Sequence, residues 1–141
     1  MVMNGQRLAA SFIPMQSAKN LHVYRKALEL AKAVYHITAA FPGEERFGLT
    51  SQMRRAAVSV GSNIAEGCGR RGDKELMGYL HIALGSASEL EFQYELAIEL
   101  GNIDRGDVDA LLGQVLGVKR MLARLIISLR EKKPRSSAAT V

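Results

Sequence analysis

The chain has few of the residues that stabilise small secreted or membrane proteins. Cys68 is the only cysteine in 141 residues, so an intramolecular disulfide is excluded and a reducing cytoplasm is the expected location. No apolar run approaches the roughly 20 residues that a membrane-spanning helix needs, so no membrane partner is expected. The N-terminal residues have no convincing apolar region or cleavage site, so a signal peptide is not expected either.

Proline is also scarce, and this scarcity favours helices. The sequence contains 3 prolines, and helix-forming residues dominate between Leu21 and Lys132. A chain of 141 residues with 48% apolar residues is long enough for one domain with a real core. We predict an all-α fold, an antiparallel up-down-up-down four-helix bundle over residues 18–132. A flexible N-terminal arm over 1–17 and a disordered tail over 133–141 complete the predicted organisation.

Helical periodicity is present in each half of the chain. The first predicted helix spans about Ser17 to Ala40 and ends before Pro42-Gly43. Its apolar positions step by four and three, and a second set widens the stripe: Tyr24, Leu28, Ala31, Tyr35 and Thr38, then Leu30, Val34, Ile37 and Phe41. The second helix runs from Thr50, a candidate N-cap, to Gly67. Its apolar seam is Met53, Ala57, Val60 and Ile64.

The second half contains the clearest periodic signal. A third helix is predicted from Asp73, as its cap, to about Leu100. Its seam is Leu76, Leu80, Leu84, Ala87 and Leu90, extended by Tyr94 and Ile98. A fourth helix is predicted after Asp104, as its cap. Its apolar residues follow a heptad pattern: Val108, Leu111, Val115, Val118, Leu122, Leu125 and Leu129.

Charge is distributed unevenly along the chain. The formal net charge is +5 and the sequence pI is about 9.6, a basic bias that permits nucleic-acid binding without requiring it. Acidic residues dominate between Gly85 and Asp109, and basic residues dominate from Gly117 onward. Two interpretations stay open. The two segments are complementary flanks of adjacent helices, or the basic segment is a ridge that contacts phosphates.

No catalytic or metal-binding motif is present. The residues three before His22, His36 and His81 are not glutamates, so the Glu-x-x-His pattern of di-iron bundles is absent. Cys68 follows a predicted helix end, where the helix dipole does not lower the pKa of a thiol. The Gly-Cys-Gly segment at residues 67–69 has no strand before it, which argues against a phosphate-binding loop. We therefore expect no enzyme activity, no metal and no cofactor.

Basic residues are the candidates for anion contacts. Two arginine pairs, a lysine and a basic segment of the fourth helix form this set: Arg54, Arg55, Arg70, Arg71, Lys74, Lys119, Arg120 and Arg124. The alternative for each is a solvated surface or an ion pair with a neighbouring carboxylate. A polar patch at residues 59–66 needs hydrogen-bond partners if it is buried, in a helix contact or a subunit interface.

A family resemblance is carried by four segments in order. They are Phe41-Pro42, LTSQMRRAA at residues 49–57, SNIAEG at residues 62–67, and IALGSASELE at residues 82–91. Together they resemble the four-helix-bundle proteins encoded in bacterial 23S ribosomal RNA intervening sequences. The resemblance covers about residues 21–129. Its candidate motif or interface residues are Ser62, Asn63, Glu66, Gly67, Gly85, Ser86 and Glu89.

The resemblance implies an assembly and a set of partners. The family resemblance implies a ring-shaped homopentamer. The chain is also similar to the accessory protein of diversity-generating retroelements, which implies binding of RNA or DNA and of a reverse transcriptase or another protein partner. A non-enzymatic nucleic-acid-binding scaffold is therefore expected. The alternative is a protein-interaction adaptor without affinity for nucleic acid.

Overall fold

The computed structural model describes residues 21–132, apart from the side chain of Val108. Within this range the chain forms four α-helices, one short 3-10 helix and no strand. The predicted arm at 1–17 and tail at 133–141 lie outside the described residues. The α-helices are α1 (His22–Thr38), α2 (Leu49–Cys68), α3 (Asp73–Glu99) and α4 (Arg105–Glu131), with the 3-10 helix Gly43–Glu45 between α1 and α2.

The helices pack as a four-helix bundle. Helix α1 contacts α2 and α4, and α3 contacts the same two helices. Across residues 21–132, no Cα atoms of the diagonal pairs α1–α3 and α2–α4 lie within 8 Å of each other. Lys132 at the end of α4 pairs with Asp73 at the start of α3, as antiparallel neighbours do. The predicted all-α four-helix fold is therefore confirmed.

The core confirms most of the predicted seams of α2 and α4. Met53, Ala57, Val60 and Ile64 of α2 are fully buried. In α4 the residues Leu111, Val115, Val118 and Leu122 are buried, but the next buried residue is Ile126 rather than the predicted Leu125. An α-helix has 3.6 residues per turn, so a strict seven-residue repeat drifts around it by about 20° per heptad. That drift moves the buried stripe by one residue at this end of α4.

Helix α1 buries a different stripe from the leading predicted one. Its buried residues are Val23, Ala27, Leu30, Val34 and Thr38. The predicted series through Leu28 and Tyr35 lies to one side, and both of these side chains are 46% exposed. Two apolar stripes lie beside each other on α1, and only packing against α2 and α4 decides which is buried.

Helix ends differ from the predicted caps by one or two residues. Helix α2 begins at Leu49, and its N–H donates to Glu45 Oε1 at 3.0 Å. Thr50 is therefore not its cap, and Asp73 is the first residue of α3 rather than its cap. Asp104 does occupy the N-cap position of α4, although its side chain makes no capping hydrogen bond within the described residues. After α3, Gly101 has a φ of 76°, the left-handed conformation that glycine adopts at helix ends.

Candidate functional site

Charge is separated along the axis of the bundle. We define the basic end as residues 21–26, 64–79 and 124–132, where α1 starts, α2 meets α3 and α4 ends. It contains eight basic residues (Arg25, Lys26, Arg70, Arg71, Lys74, Arg124, Arg130, Lys132) and four acidic ones (Glu66, Asp73, Glu75, Glu131).

The opposite end of the bundle has the reverse charge. We define the acidic end as residues 34–50 and 92–109. It contains seven acidic residues (Glu44, Glu45, Glu95, Glu99, Asp104, Asp107, Asp109) and two basic ones (Arg46, Arg105). The formal charges are therefore 8 − 4 = +4 at the basic end and 2 − 7 = −5 at the acidic end. An anionic ligand is favoured at the basic end.

At the basic end, Arg70 is held by neighbours from both α2 and α3. Its Nη2 donates to Glu66 Oε2 at 2.6 Å and to the Tyr79 hydroxyl at 2.9 Å. The guanidinium lies over the Tyr79 ring, 5.3 Å from its centroid. The phenol and the Glu66 carboxylate raise the pKa of Arg70. The Glu-Gly pair of the SNIAEG segment thus helps to place a cation beside an aromatic ring.

Gly67 of the same segment permits this arrangement. A Cβ at Gly67 would lie 2.8 Å from Tyr79 Cβ and 3.3 Å from the Leu76 carbonyl oxygen. No Cβ fits at such distances without moving the backbone of α3. Helices α2 and α3 therefore approach closely here because residue 67 has no side chain. Tyr79 was absent from the predicted site, since nine residues separate it from Arg70 and no local pattern links the two.

The other candidate cations divide into exposed and engaged groups. Arg71, Lys74, Arg120 and Arg124 are exposed, as is Arg55 on α2, and none pairs with a carboxylate within residues 21–132. Lys119 instead pairs with Glu91 of α3 at 2.7 Å. These five exposed cations are available to bind an anion, whereas Lys119 links α4 to α3 through its ion pair.

Arg54 serves the end of α1. Its Nε donates to Thr38 Oγ1 at 2.8 Å and its Nη2 to the Tyr35 carbonyl oxygen at 3.2 Å. The guanidinium also lies 4.6 Å from the Tyr35 ring centroid. A positive charge at a helix C-terminus interacts favourably with the helix dipole. Arg54 therefore has a structural role, and Arg55 beside it is the exposed member of the pair.

The polar patch of α2 faces α3. Ser59 and Ser86 share a hydrogen bond of 2.8 Å, and Asn63 Nδ2 donates to the Ser59 carbonyl oxygen at 2.8 Å. An open cleft of about 450 Å³ lies above them. It is lined by Gln52, Arg55, Ala56, Ser59, Ser86 and Glu89. The predicted motif residue Ser86 thus joins α3 to α2, whereas Asn63 bonds only to Ser59 within α2. Ser62 and Glu89 are exposed.

Two sides of the bundle expose apolar residues. Between α1 and α2 lies an apolar groove of about 290 Å³. It is lined by Tyr24, Ala27, Leu28, Ala31, Ala57, Val58, Gly61, Ser62 and Ala65.

On α3, Ile82 and Phe92 are 52% and 66% exposed, and they share one helix face with Gly78, Gly85 and Glu89. We call this face the α3 ridge. Ile82 and Phe92 were not identified as exposed by the sequence analysis. Helix α3 has apolar residues on several sides, and that pattern indicates a helix that is buried on several sides.

The described residues contain little that suggests chemistry. Burial raises the pKa of the Cys68 thiol, which disfavours the reactive thiolate. No group of three or more His, Cys, Asp or Glu side chains in residues 21–132 is placed to hold a metal ion. His81 is exposed on α3. No helix in the described range is long and apolar enough to cross a membrane.

Comparison with known proteins gives the family. The model of the 23S rRNA-intervening sequence protein family matches residues 19–124. A crystal structure from Bacteroides thetaiotaomicron VPI-5482, of a protein with unknown function from the S23 ribosomal protein family, is similar with a TM-score of 0.67. The two chains are 26% identical, over 74% of this chain and 97% of that one. No curated protein matches the chain. The family match covers most of the sequence, so the chain belongs to the 23S rRNA-intervening sequence protein family.

Proposed function

We propose that this chain is a non-enzymatic protein that assembles into a homopentameric ring and binds RNA or DNA through its basic end. The observation that carries the proposal is the separation of charge, with +4 at one end of the bundle and −5 at the other. Phosphates attract such a cluster of exposed arginines and lysines without regard to base sequence. The proposal includes a cytoplasmic location, which the single, buried cysteine supports.

The two exposed apolar surfaces support self-association. The apolar groove lies between α1 and α2, and the α3 ridge adjoins the cleft between α2 and α3. They are different surfaces, so a contact between them is heterologous and builds a ring or a filament. Gly78 and Gly85 leave the ridge without side chains at two positions, and a Cβ added at either would meet no described atom within 4 Å. A neighbouring groove can therefore approach the backbone of the ridge closely.

The placement of these surfaces favours a closed ring. They lie on adjacent rather than opposite sides of the bundle and share α2, so their outward directions are far from opposite. The directions from one subunit to its two neighbours differ by about 90° in a four-membered ring and about 108° in a five-membered ring. In a straight filament they differ by about 180°. In such a ring α2 faces the centre and α4 the outside. If the bundles run along the ring axis, cyclic symmetry brings every basic end to one face of the ring.

The assembly is tested by mass in solution. Light scattering at micromolar concentration should return about five times the chain mass of 15.4 kDa. Ile82→Glu places a charge on the α3 ridge and should lower the mass to that of the monomer. Ile127→Glu makes the same change at an exposed position of α4, outside both surfaces, and is the control that should keep the ring. A monomer mass for the unaltered protein contradicts the ring.

Nucleic-acid binding is tested with paired charge reversals. The double change Arg71→Glu and Lys74→Glu removes two exposed cations of the basic end. We expect affinity for structured RNA and duplex DNA, measured by fluorescence anisotropy, to fall about tenfold or more. Arg46→Glu with Arg105→Glu makes the same charge change at the acidic end and should alter affinity by less than about threefold.

The same titrations decide between the two candidate functions. Binding to phosphates releases counterions, so the affinity of the unaltered protein should fall at least about tenfold between roughly 50 and 200 mM salt. Equal losses from both double variants mean that the ligand does not bind at the basic end. A Kd of about 100 µM is the weak limit of non-specific nucleic-acid binding. If neither RNA nor DNA binds more tightly than this at low salt, the protein-interaction adaptor is the function that remains.

A further inference from the structure

A long groove between α1 and α4 is unused by the proposed ring and by the basic end. A cavity of about 620 Å³ lies between the end of α1 and the turn that precedes α4. A second cavity of about 290 Å³ follows along the same two helices. Both are lined by Ala110 and Gln114, so they form one continuous groove. Along α4, from Gly106 to Met121, it extends about 23 Å, at 1.5 Å per helical residue.

Small residues on α4 keep this groove open. Gly106, Ala110, Gly113 and Gly117 follow one another at steps of four, three and four, so they lie on one face of α4. A Cβ added at Gly106 or Gly113 would have no atom within 4 Å. The floor is apolar and includes Ile37, Leu111 and Val118. A helix is the element that fits a groove of this length with an apolar floor and polar rims.

The charges along the groove are asymmetric. Asp104 and Asp107 line it at the acidic end of the bundle. The far end has one charge of each sign, Lys26 and Glu29, which pair with each other at 3.4 Å. Within residues 21–132 neither Asp104 nor Asp107 pairs with a cation, so an occupant meets unpaired negative charge at one end only. Complementary charge sets the direction of docking and raises the association rate more than it raises affinity.

We propose that this groove docks an amphipathic helix of a partner protein, with its apolar face on α4 and its basic end against Asp104 and Asp107. The occupant needs apolar residues at i, i+3, i+4 and i+7 and lysine or arginine near one terminus. The groove shares only Lys26 with the basic end, and Lys26 pairs with Glu29, so the protein carries a nucleic-acid surface and a protein surface at once. In the proposed ring α4 faces outward, which leaves each groove accessible.

The test uses a defined peptide as the probe. It is a fluorescein-labelled 20-residue helix with leucine and alanine on one face and lysines clustered at one end, titrated with the full-length protein. A scrambled peptide of equal composition has no apolar face. We expect anisotropy to show binding of the amphipathic peptide and at least about tenfold weaker binding of the scrambled one.

A glycine substitution fills the groove without disturbing the core. Gly113→Leu enters open space, so circular dichroism should show an unchanged or higher melting temperature, and peptide affinity should fall at least about tenfold. Gly43→Leu, in equally open space outside this groove and outside both proposed ring surfaces, is the matched control and should leave peptide affinity within about threefold. Asp104→Asn with Asp107→Asn should weaken binding and lower its salt dependence.

Three results overturn the docking groove. One is equal affinity of the amphipathic and scrambled peptides, because the contact is then only electrostatic. Another is unchanged peptide affinity in a folded Gly113→Leu variant. The third is a loss of oligomer mass in Gly113→Leu but not in Gly43→Leu, because the groove then holds a second copy of this chain. The nucleic-acid titrations are unaffected by each of these outcomes, so the two proposals fail separately.

Discussion

The α2–α3 pair and the α1–α4 pair are both antiparallel neighbours, yet glycine has opposite effects in them. In the first pair, a Cβ at Gly67 would overlap Tyr79, so the missing side chain lets two backbones approach. In the second pair, a Cβ at Gly113 would meet no atom within 4 Å, so the missing side chain leaves a groove. A glycine within a helix therefore marks either a tight contact or an open surface.

Polar contacts follow the same division. The α2–α3 pair has the Ser59–Ser86 hydrogen bond and the contact of Arg70 with Tyr79. Among the described residues no side-chain hydrogen bond joins α1 to α4, although Arg54 of α2 bonds the end of α1. Helix α1 is thus held chiefly from the α2 side. The difference explains why the cation with the most defined position lies between α2 and α3, whereas the long groove lies between α1 and α4.

The largest change is expected at the tight pair. In Gly67→Ala the new Cβ meets Tyr79 Cβ, which is attached directly to the backbone and cannot rotate away. Overpacking should exceed the gain in helix propensity and lower the free energy of unfolding by about 1–2 kcal/mol. Urea denaturation followed by circular dichroism measures the loss. An unchanged midpoint would show that α2 and α3 separate at this point at no cost.

A smaller loss is expected where α2 holds α1. Arg54→Met keeps much of the side-chain volume but removes both hydrogen bonds and the charge at the end of α1. We expect a loss of about 1 kcal/mol in the free energy of unfolding. The adjacent, exposed Arg55→Met serves as the control and should stay within about 0.5 kcal/mol of the unaltered protein. Equal losses from both variants would argue against the capping role of Arg54.

The smallest change is expected at the open pair, and its sign is opposite. Gly113→Ala adds a methyl group into open space in the middle of α4. Alanine is the better helix former, so the free energy of unfolding should rise by about 0.5–1 kcal/mol. The same urea titration measures it. A destabilised Gly113→Ala protein would mean that the groove is already filled when the protein is in solution.

The buried residues of a helix could be predicted from sequence where that helix has a single apolar stripe. All four residues of the predicted α2 seam, from Met53 to Ile64, are buried, and only the buried Ala56 was missed between them. Helix α1 was harder, since two apolar stripes compete and the exposed one contains the larger side chains Tyr24, Leu28 and Tyr35. Its core stripe is selected by packing against α2 and α4, and periodicity does not record which stripe meets a neighbour.

The sequence by itself determined the class of the fold, the four helices and the family, because helical periods, glycine breaks and the SNIAEG segment are local in the chain. Only the tertiary structure decided the roles of single side chains. Arg54 reaches Thr38 across 16 residues, and Arg70 reaches Tyr79 around a turn. The two ends of opposite charge likewise combine segments from all four helices. Such contacts depend on how helices are placed beside one another, and a pattern confined to one helix contains no information about its neighbours.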